Sequence, residues 1–136
     1  MTAFSMTDCY IAINGVDRSS YIKSVTVHVE ANELDSTDFA DAGWTVPITG
    51  MKSGNVQLTF NQDMASSAID SIMWGLLWST TTFEIRASNS VVSGSNPKYT
   101  GSFLCKEWTP ITGSVGDLAE VSVTYPLSGA LSRATT

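Results

Sequence analysis

Histidine is nearly absent from this sequence, which has a single one, His28, and only two cysteines. A hydrolase of the Ser/His/Asp type needs a histidine base, and His28 falls on the polar side of a predicted strand, with no GxSxG motif in the chain. One histidine and two distant cysteines also provide no zinc-ligand set. The sequence therefore predicts no catalytic residue, no metal site and no cofactor, and we expect a protein that is not an enzyme.

Basic residues are also scarce. Seven Lys and Arg stand against thirteen Asp and Glu, the formal net charge is -6, and no basic cluster is present. Proteins that grip nucleic acid neutralise its phosphates with Lys and Arg, so this mode of binding is not expected here. An acidic surface commonly serves solubility alone. The alternative interpretation is a surface that lies close to DNA without adhering to it.

The chain has no long hydrophobic run and no charged segment followed by an apolar one at its start. A membrane-spanning helix needs about 20 apolar residues, so we expect no membrane insertion and synthesis in a cytoplasm. Cys9 and Cys105 form no CxxC motif. Each falls in a strand pattern, so we expect both thiols to be reduced and buried, although a disulfide between neighbouring strands stays open.

Strict alternation of apolar and polar residues predicts strands over residues 24–30, 55–61, 80–88 and 119–125. A further strand over residues 9–13 meets the turn signal Asn14-Gly15, and the segment GSVGD at 113–117 predicts another turn. Residues 99–109 are extended, but their alternation slips, which indicates a bulge or a strand buried on both faces.

One helix is predicted over residues 64–77, with Asp63 as its N-cap and apolar residues at helical spacing. Many strands with one helix predict a mainly β fold, an antiparallel β-sandwich or partly open barrel with one flanking α-helix. We expect one domain over residues 1–136, with short flexible ends at about 1–7 and 133–136.

Residues 31–49 interrupt the strand pattern with four carboxylates, Phe39 and Trp44. The segment is too long for a tight turn, and its aromatic residues favour a protruding hairpin arm or loop that meets a partner surface. A mobile surface loop is the simpler alternative. Oxygen ligands for calcium are present, but the glycine and closing glutamate of an EF-hand loop are not.

Tryptophan is the remaining feature. Trp74 and Trp78 do not fit the apolar stripe of the predicted helix, and we expect them to pack within their own chain rather than against a neighbouring subunit. Four tryptophans on a β-sandwich also permit a sugar-stacking platform, although no strand pattern places them on one face. A carbohydrate-binding module is thus the alternative from another functional class.

The order of these segments resembles the tail tube (major tail) proteins of long-tailed, non-contractile bacteriophages. The likeness runs from about residue 13 to residue 134 and includes GMKSGNVQLTFNQD (50–63), a helix ending in MWGLL (73–77) and TTFEIRAS (81–88). Its most specific parts are SNPKYTG (95–101) and GSVGDLAEVSVT (113–124) with the following SGAL (128–131).

The resemblance implies a phage tail tube-like sandwich that forms six-membered rings, which stack into a tube in the virion tail after assembly in the host bacterial cytoplasm. Double-stranded DNA passes through such a lumen without specific binding, and the implied partners are the tail tip or baseplate, tape measure and tail terminator proteins. A head–tail joining ring or a tail terminator ring is the nearest alternative.

Carried onto this chain, the resemblance assigns the segment 31–49 to ring stacking and the polar strand faces to the lumen. The candidate stacking residues are Glu33, Leu34, Asp35, Asp38, Phe39, Asp41 and Trp44. The candidate lumen-facing residues are Glu30, Gln57, Glu120 and Ser122, with Lys106 as a local exception to the acidic wall.

Overall fold

The computed structural model describes residues 3–136. Within this part of the chain, two antiparallel sheets pack face to face beside one α-helix. The five-stranded sheet has the order β2 (Val16–Asp17), β1 (Tyr10–Ile13), β5 (Thr80–Arg86), β6 (Lys98–Leu104), β8 (Ser132–Ala134). The three-stranded sheet has the order β3 (Ile22–Asp35), β4 (Pro47–Asn61), β7 (Glu120–Pro126). The predicted mainly β sandwich with one flanking helix is confirmed, and the barrel is not closed.

The core lies where the apolar faces of the two sheets meet. Alternate residues of β4 and β7 are fully buried, as the sequence pattern predicts, since successive side chains of a strand point to opposite faces. Phe103 links the layers because its ring packs 5.1 Å from those of both Phe83 and Tyr125. The strand residues of the core cluster are Ile11, Ile13, Val56, Leu58, Phe60, Phe83, Ile85, Phe103, Val121, Val123 and Tyr125.

The helix α1 spans Ile69–Leu76 and begins later than predicted. Its N-cap position is Ala68, with no side-chain hydrogen bond, so the assignment of Asp63 as the N-cap was wrong. The Asp63 carboxylate instead accepts a hydrogen bond from the backbone N–H of Ala65, which organises a turn before the helix. Ile69 and Met73 then bury one face of the helix against the core.

The predicted extended segment 99–109 ends as a strand at Leu104. Beyond that point the backbone N–H of Cys105 donates to the carbonyl of Ser79, and the Cys105 carbonyl accepts from Trp78. The chain then crosses the open side of the sandwich, where Trp108 is buried against Phe60 with ring centroids 5.4 Å apart. Burial of Cys105 and Trp108 outside a regular strand explains why the alternation slips.

Strands β3 and β4 form a long hairpin paired from Ile22–Phe60 out to Asp35–Pro47. Strand β7 pairs with β4 only between residues 55 and 61, so the outer part of the hairpin extends beyond the sheet. We call residues 31–49 the arm, and residues 36–46 its tip. A register shift between Ala31 and Glu33 lies at the base of the arm.

The last strand occupies part of the predicted C-terminal tail. Residues 132–134 pair with β6, through Tyr99–Arg133 and two adjacent pairs. At the other end, residues 1 and 2 of the predicted N-terminal tail lie outside the described residues. The β8 pairing holds the C-terminal segment beside the arm base, where it forms one wall of a groove.

Candidate assembly surfaces

The outer face of the three-stranded sheet is a polar surface. Its rows follow from the register, in which Gln57 pairs with Thr26 and Thr124, and Thr59 pairs with Ser24 and Ser122. The hydroxyls of Thr59 and Ser122 lie 3.2 Å apart, as expected for side chains on one face. The register gives this polar face the residues Ser24, Thr26, His28, Glu30, Ser53, Asn55, Gln57, Thr59, Asn61, Glu120, Ser122 and Thr124.

All four candidate lumen residues lie on this face. Glu30, Gln57 and Ser122 are exposed, and Glu120 is half-buried. Glu120 forms an ion pair with Lys23, which sits where the register between β3 and β4 shifts. The Nε2 atom of His28 lies 3.9 Å from a carboxylate oxygen of Glu30. The face therefore presents hydroxyl, amide and carboxylate groups, and its neighbouring lysine is already paired.

The arm tip is organised by its own carboxylates. Asp38 accepts a hydrogen bond from the N–H of Ala40, and Asp41 accepts one from the N–H of Asp38, which together form a capping box around the short 3-10 turn Phe39–Asp41. Asp35 accepts from the N–H of Thr37 at 2.8 Å. Three of the four acidic stacking candidates thus fix the loop geometry.

The pKa of the Asp35 carboxyl is lowered from its ordinary value of 3.8 by hydrogen bonds from the Thr37 side chain and backbone. The Thr37 hydroxyl also accepts from the N–H of Val46 across the tip, and the Ser36 hydroxyl donates to the carbonyl of Val46. These bonds close the tip into a loop of defined geometry.

The aromatic residues of the tip remain uncovered. Phe39 is fully exposed, and Trp44 is 78% exposed. Behind them, Leu34 pairs with Ile48 across the arm, and both side chains are about half exposed. Apolar groups held on a well-defined protruding loop are typical of an interaction surface. The candidates Glu33, Leu34 and Asp35 lie on the strand of the arm, whereas Asp38, Phe39, Asp41 and Trp44 lie in its tip.

The expectation that Trp74 and Trp78 pack within their own chain was wrong. They are 58% and 74% exposed, because Ile69, Met73 and Leu76 provide the packed face of α1. Trp78 has a left-handed backbone with φ of 68°, and its N–H donates to the carbonyl of Cys105. Since Trp108 lies in the core and Trp44 in the arm tip, the four tryptophans do not form one platform.

Both cysteines carry free thiols. Cys105 is buried, as expected, and burial raises the pKa of its thiol. Cys9 is only half-buried, its S–H donates to the carbonyl of Arg86, and burial together with the nearby Asp8 raises the pKa of its thiol. The structure thus contains no disulfide between Cys9 and Cys105.

No group of three or more His, Cys, Asp and Glu side chains in residues 3–136 is arranged to hold a metal ion. Over the same part of the chain, no helix has the length and hydrophobicity to cross a membrane.

One surface was missed by sequence reasoning. A groove of about 640 Å³ lies at the arm base, between β3, β4 and the segment that leads into β8. The only sequence signal is Val29, which belongs to the apolar face of β3 by alternation but is 55% exposed because the opposite sheet does not reach it. The residues that line the groove are Val29, Glu30, Ala31, Lys52, Ser53, Leu127, Gly129, Ala130 and Leu131.

The sequence matches no protein-family model and no curated protein. The fold, in contrast, matches solved structures of gene transfer agent particles. One is a chain of the structure described as the virion of a native gene transfer agent (GTA) particle, with a TM-score of 0.74 and 16% identity, covering 96% of this chain and 98% of that chain. Another belongs to the tail of an empty GTA particle computed with helical refinement and C6 symmetry, with a TM-score of 0.62, 16% identity and coverage of 82% and 81%. This protein shares the fold of the GTA virion chain over nearly its whole length and that of the tail chain over about four fifths of it.

Proposed function

We propose that this protein is a structural subunit of a phage-like tail tube, in which six copies form a ring and the rings stack around a channel for double-stranded DNA. The observation that carries the proposal is the extent of the fold match, which covers 96% of this chain and 98% of a chain in a GTA virion. A second matching chain belongs to a tail with C6 symmetry. The proposal assigns the protein a structural and not a catalytic role.

The polar face of the three-stranded sheet is suited to line the channel. It carries Glu30 and Glu120 but no Lys or Arg in its rows, and the adjacent Lys23 is paired with Glu120. Unpaired cations would bind phosphates and release counterions, which would hold DNA in place. A neutral to acidic wall has no such attraction, so DNA could move along it.

Strand β3 is suited to join neighbouring subunits within a ring. It lies at the edge of the three-stranded sheet, and over residues 22–35 its outer backbone groups pair with no other strand among residues 3–136. The opposite edge strand, β7, is partly protected because the Thr124 N–H donates to a carboxylate oxygen of Glu107. An unpaired edge adds a strand from another chain readily, and ring closure would leave no free edge.

The arm is suited to join one ring to the next. It extends beyond the sheet and ends in the exposed Phe39 and Trp44. Contacts between two different surfaces of identical subunits repeat along an axis, which is what a stack of rings requires. The tail tip or baseplate, tape measure and tail terminator proteins are then the proposed partners at the tube ends and in the lumen.

Electron microscopy of the purified protein at high concentration tests this function. We expect tubes with a central channel and sixfold symmetry in cross-section. Rings that never stack would instead favour a head–tail joining or tail terminator role. Monomers under every condition, including with tail-tip proteins, would contradict both assignments.

A further inference from the structure

The apolar face of the long hairpin continues past the end of the core. Val29 and Ala31 belong to the face of β3 that packs inward nearer the body, where Val25 and Val27 contact the core cluster. The five-stranded sheet ends near the turn 128–131 that leads into β8. No strand of that sheet therefore covers Val29 and Ala31. The result is the groove of about 640 Å³, within the range of about 300–1,000 Å³ typical of binding pockets.

The groove has an apolar floor and a polar rim. Val29, Leu127 and Leu131 provide aliphatic surface, and Ala130 leaves space between them. Lys52 stands on the rim, and in the described part of the chain no carboxylate lies within ion-pairing distance of it. Glu30 also lines the groove, so its rim carries one charge of each sign, and an occupant of matching chemistry is defined by a large apolar side chain.

The arm tip has this chemistry. Phe39 and Trp44 are exposed and flank Asp41, in a loop that is held rigid by the carboxylates of Asp38 and Asp41. Rigid aromatic anchors lose little conformational freedom on docking, and such residues dominate the affinity of many interfaces.

The tip of an arm cannot reach the groove at its own base. The strands of the arm pair from Ala31–Lys52 out to Asp35–Pro47. This paired segment separates the tip from the groove by more than about 13 Å. The two surfaces therefore meet only between copies of the chain.

We propose that the aromatic arm tip of one subunit docks in the groove at the arm base of a subunit in the adjacent ring. Because tip and groove are different surfaces of the same chain, the contact is head-to-tail and gives the stack a direction. This inference rests on the proposed tube function and specifies which residues make the stacking contact.

Two variants separate the halves of the contact. Ala130→Trp fills the groove, and the double change Phe39→Ala/Trp44→Ala blunts the tip; both sites are exposed, so the fold should be retained, as circular dichroism would verify. Each variant alone should form rings but no tubes. Ser114→Trp, which adds an exposed tryptophan elsewhere, should form tubes of normal length.

Mixing the two variants gives a sharper outcome. A ring with an intact tip but a filled groove can dock on a ring with an open groove but a blunted tip, and the pair cannot extend further. We expect stacks of two rings by electron microscopy. Long tubes from either variant alone would overturn the proposal, and so would a mixture that contains only single rings.

Cross-linking distinguishes failure of this contact from failure of the tube. In a Cys9→Ser/Cys105→Ala background, Thr45→Cys, an exposed tip position that leaves Phe39 and Trp44 in place, and Ala130→Cys should form a disulfide between chains on oxidation of assembled tubes. Tubes that form without this cross-link would overturn the docking contact and leave the tube function intact. A protein that stays monomeric would overturn both.

Discussion

The indole N–H of Trp108 donates a hydrogen bond to Oδ1 of Asp70 at 3.0 Å. Trp108 is buried against Phe60, and Gln62 donates to the same carboxylate and to the carbonyl of Pro110. The interaction joins α1 to the irregular segment that covers the open side of the sandwich. We expect Asp70→Ala to lower the free energy of unfolding by about 1–3 kcal/mol, because a buried indole N–H is left without a partner.

Urea unfolding of the unassembled protein measures this loss. Asp70→Asn is the matched control, since it keeps an oxygen acceptor and should cost less than the alanine variant. Equal losses for the two variants would indicate that the carboxylate charge near the helix start, rather than the hydrogen bond, provides the stability.

Gly54 is the position in β4 where a side chain has no room. A Cβ atom there would lie 2.5 Å from the carbonyl oxygen of His28 and 2.7 Å from Cδ1 of Leu127. We expect Gly54→Ala to destabilise the fold by about 1–3 kcal/mol through forced displacement of the backbone or of Leu127. Thermal unfolding measures the effect.

Gly75 provides the comparison for that change. It lies within α1, and a Cβ atom added there would meet open space, so Gly75→Ala should raise stability by about 0.5–1 kcal/mol. If Gly54→Ala left the stability unchanged, β3 and Leu127 would have to move away from the added methyl group at little cost. The short distances at Gly54 argue against this outcome.

Deletion of residues 34–43 tests the arm as a whole. The core and the β7 pairing lie outside this segment, so the domain should fold with its stability nearly unchanged. We expect the variant to form rings that do not stack, as seen by electron microscopy and analytical ultracentrifugation. Long tubes built from the deleted variant would exclude the arm from stacking.

The hydrogen bond from the Thr37 N–H to Asp35 should be retained to low pH. The pKa of Asp35 is lowered in the folded protein, so the stability that its ionised carboxyl contributes is fully present above pH 3.8. This stability is lost as the pH falls through the pKa of Asp35 in the folded state, which lies below 3.8. The chemical shift of the Thr37 amide in an NMR titration should therefore change below pH 3.8. The titration uses the Ala130→Trp variant, which is expected to form no tubes. Thr37→Ala should raise the pKa of Asp35, followed by its own carboxyl signal, towards 3.8.

Gln57 tests the polar face as a channel wall. Gln57→Lys would place one unpaired cation per subunit in the middle of this face, and tubes of the variant should retain double-stranded DNA in a salt-dependent manner. Gln57→Glu should not retain DNA, and Ser114→Lys serves as a control away from the face. Equal retention by the Gln57→Lys and Ser114→Lys tubes would argue that Gln57 does not line the lumen.

Alternation predicted the strands with one buried face, such as the run of Val56, Leu58 and Phe60, because burial imposes a period of two on a strand. The same period placed Gln57 and Ser122 on one polar face. Sequence could not predict the start of α1, since Asp63 bonds equally well in a turn. Nor could it predict that Trp108 is buried, which depends on a partner, Asp70, far away in the chain.

The groove was beyond sequence reasoning for a related reason. Val29 has the pattern of a core residue, and its exposure depends on where the opposite layer ends. That end is set by long-range pairing of β8 with β6, which no local pattern in residues 128–134 specifies. Similarly, no local pattern in the arm indicates that the carboxylates of Asp38 and Asp41 accept hydrogen bonds within the loop.

The register shifts of β3 affect how readily unassembled chains aggregate. A long unpaired edge can recruit identical strands without limit and lead to aggregation. The pairing of β3 with β4 shifts between Ile22 and Ser24 and again between Ala31 and Glu33, so the regular edge is confined to residues 24–31. Such irregularities twist a strand away from flat stacking. We expect them to keep newly made chains soluble at the concentrations that growth of the proposed tube would require.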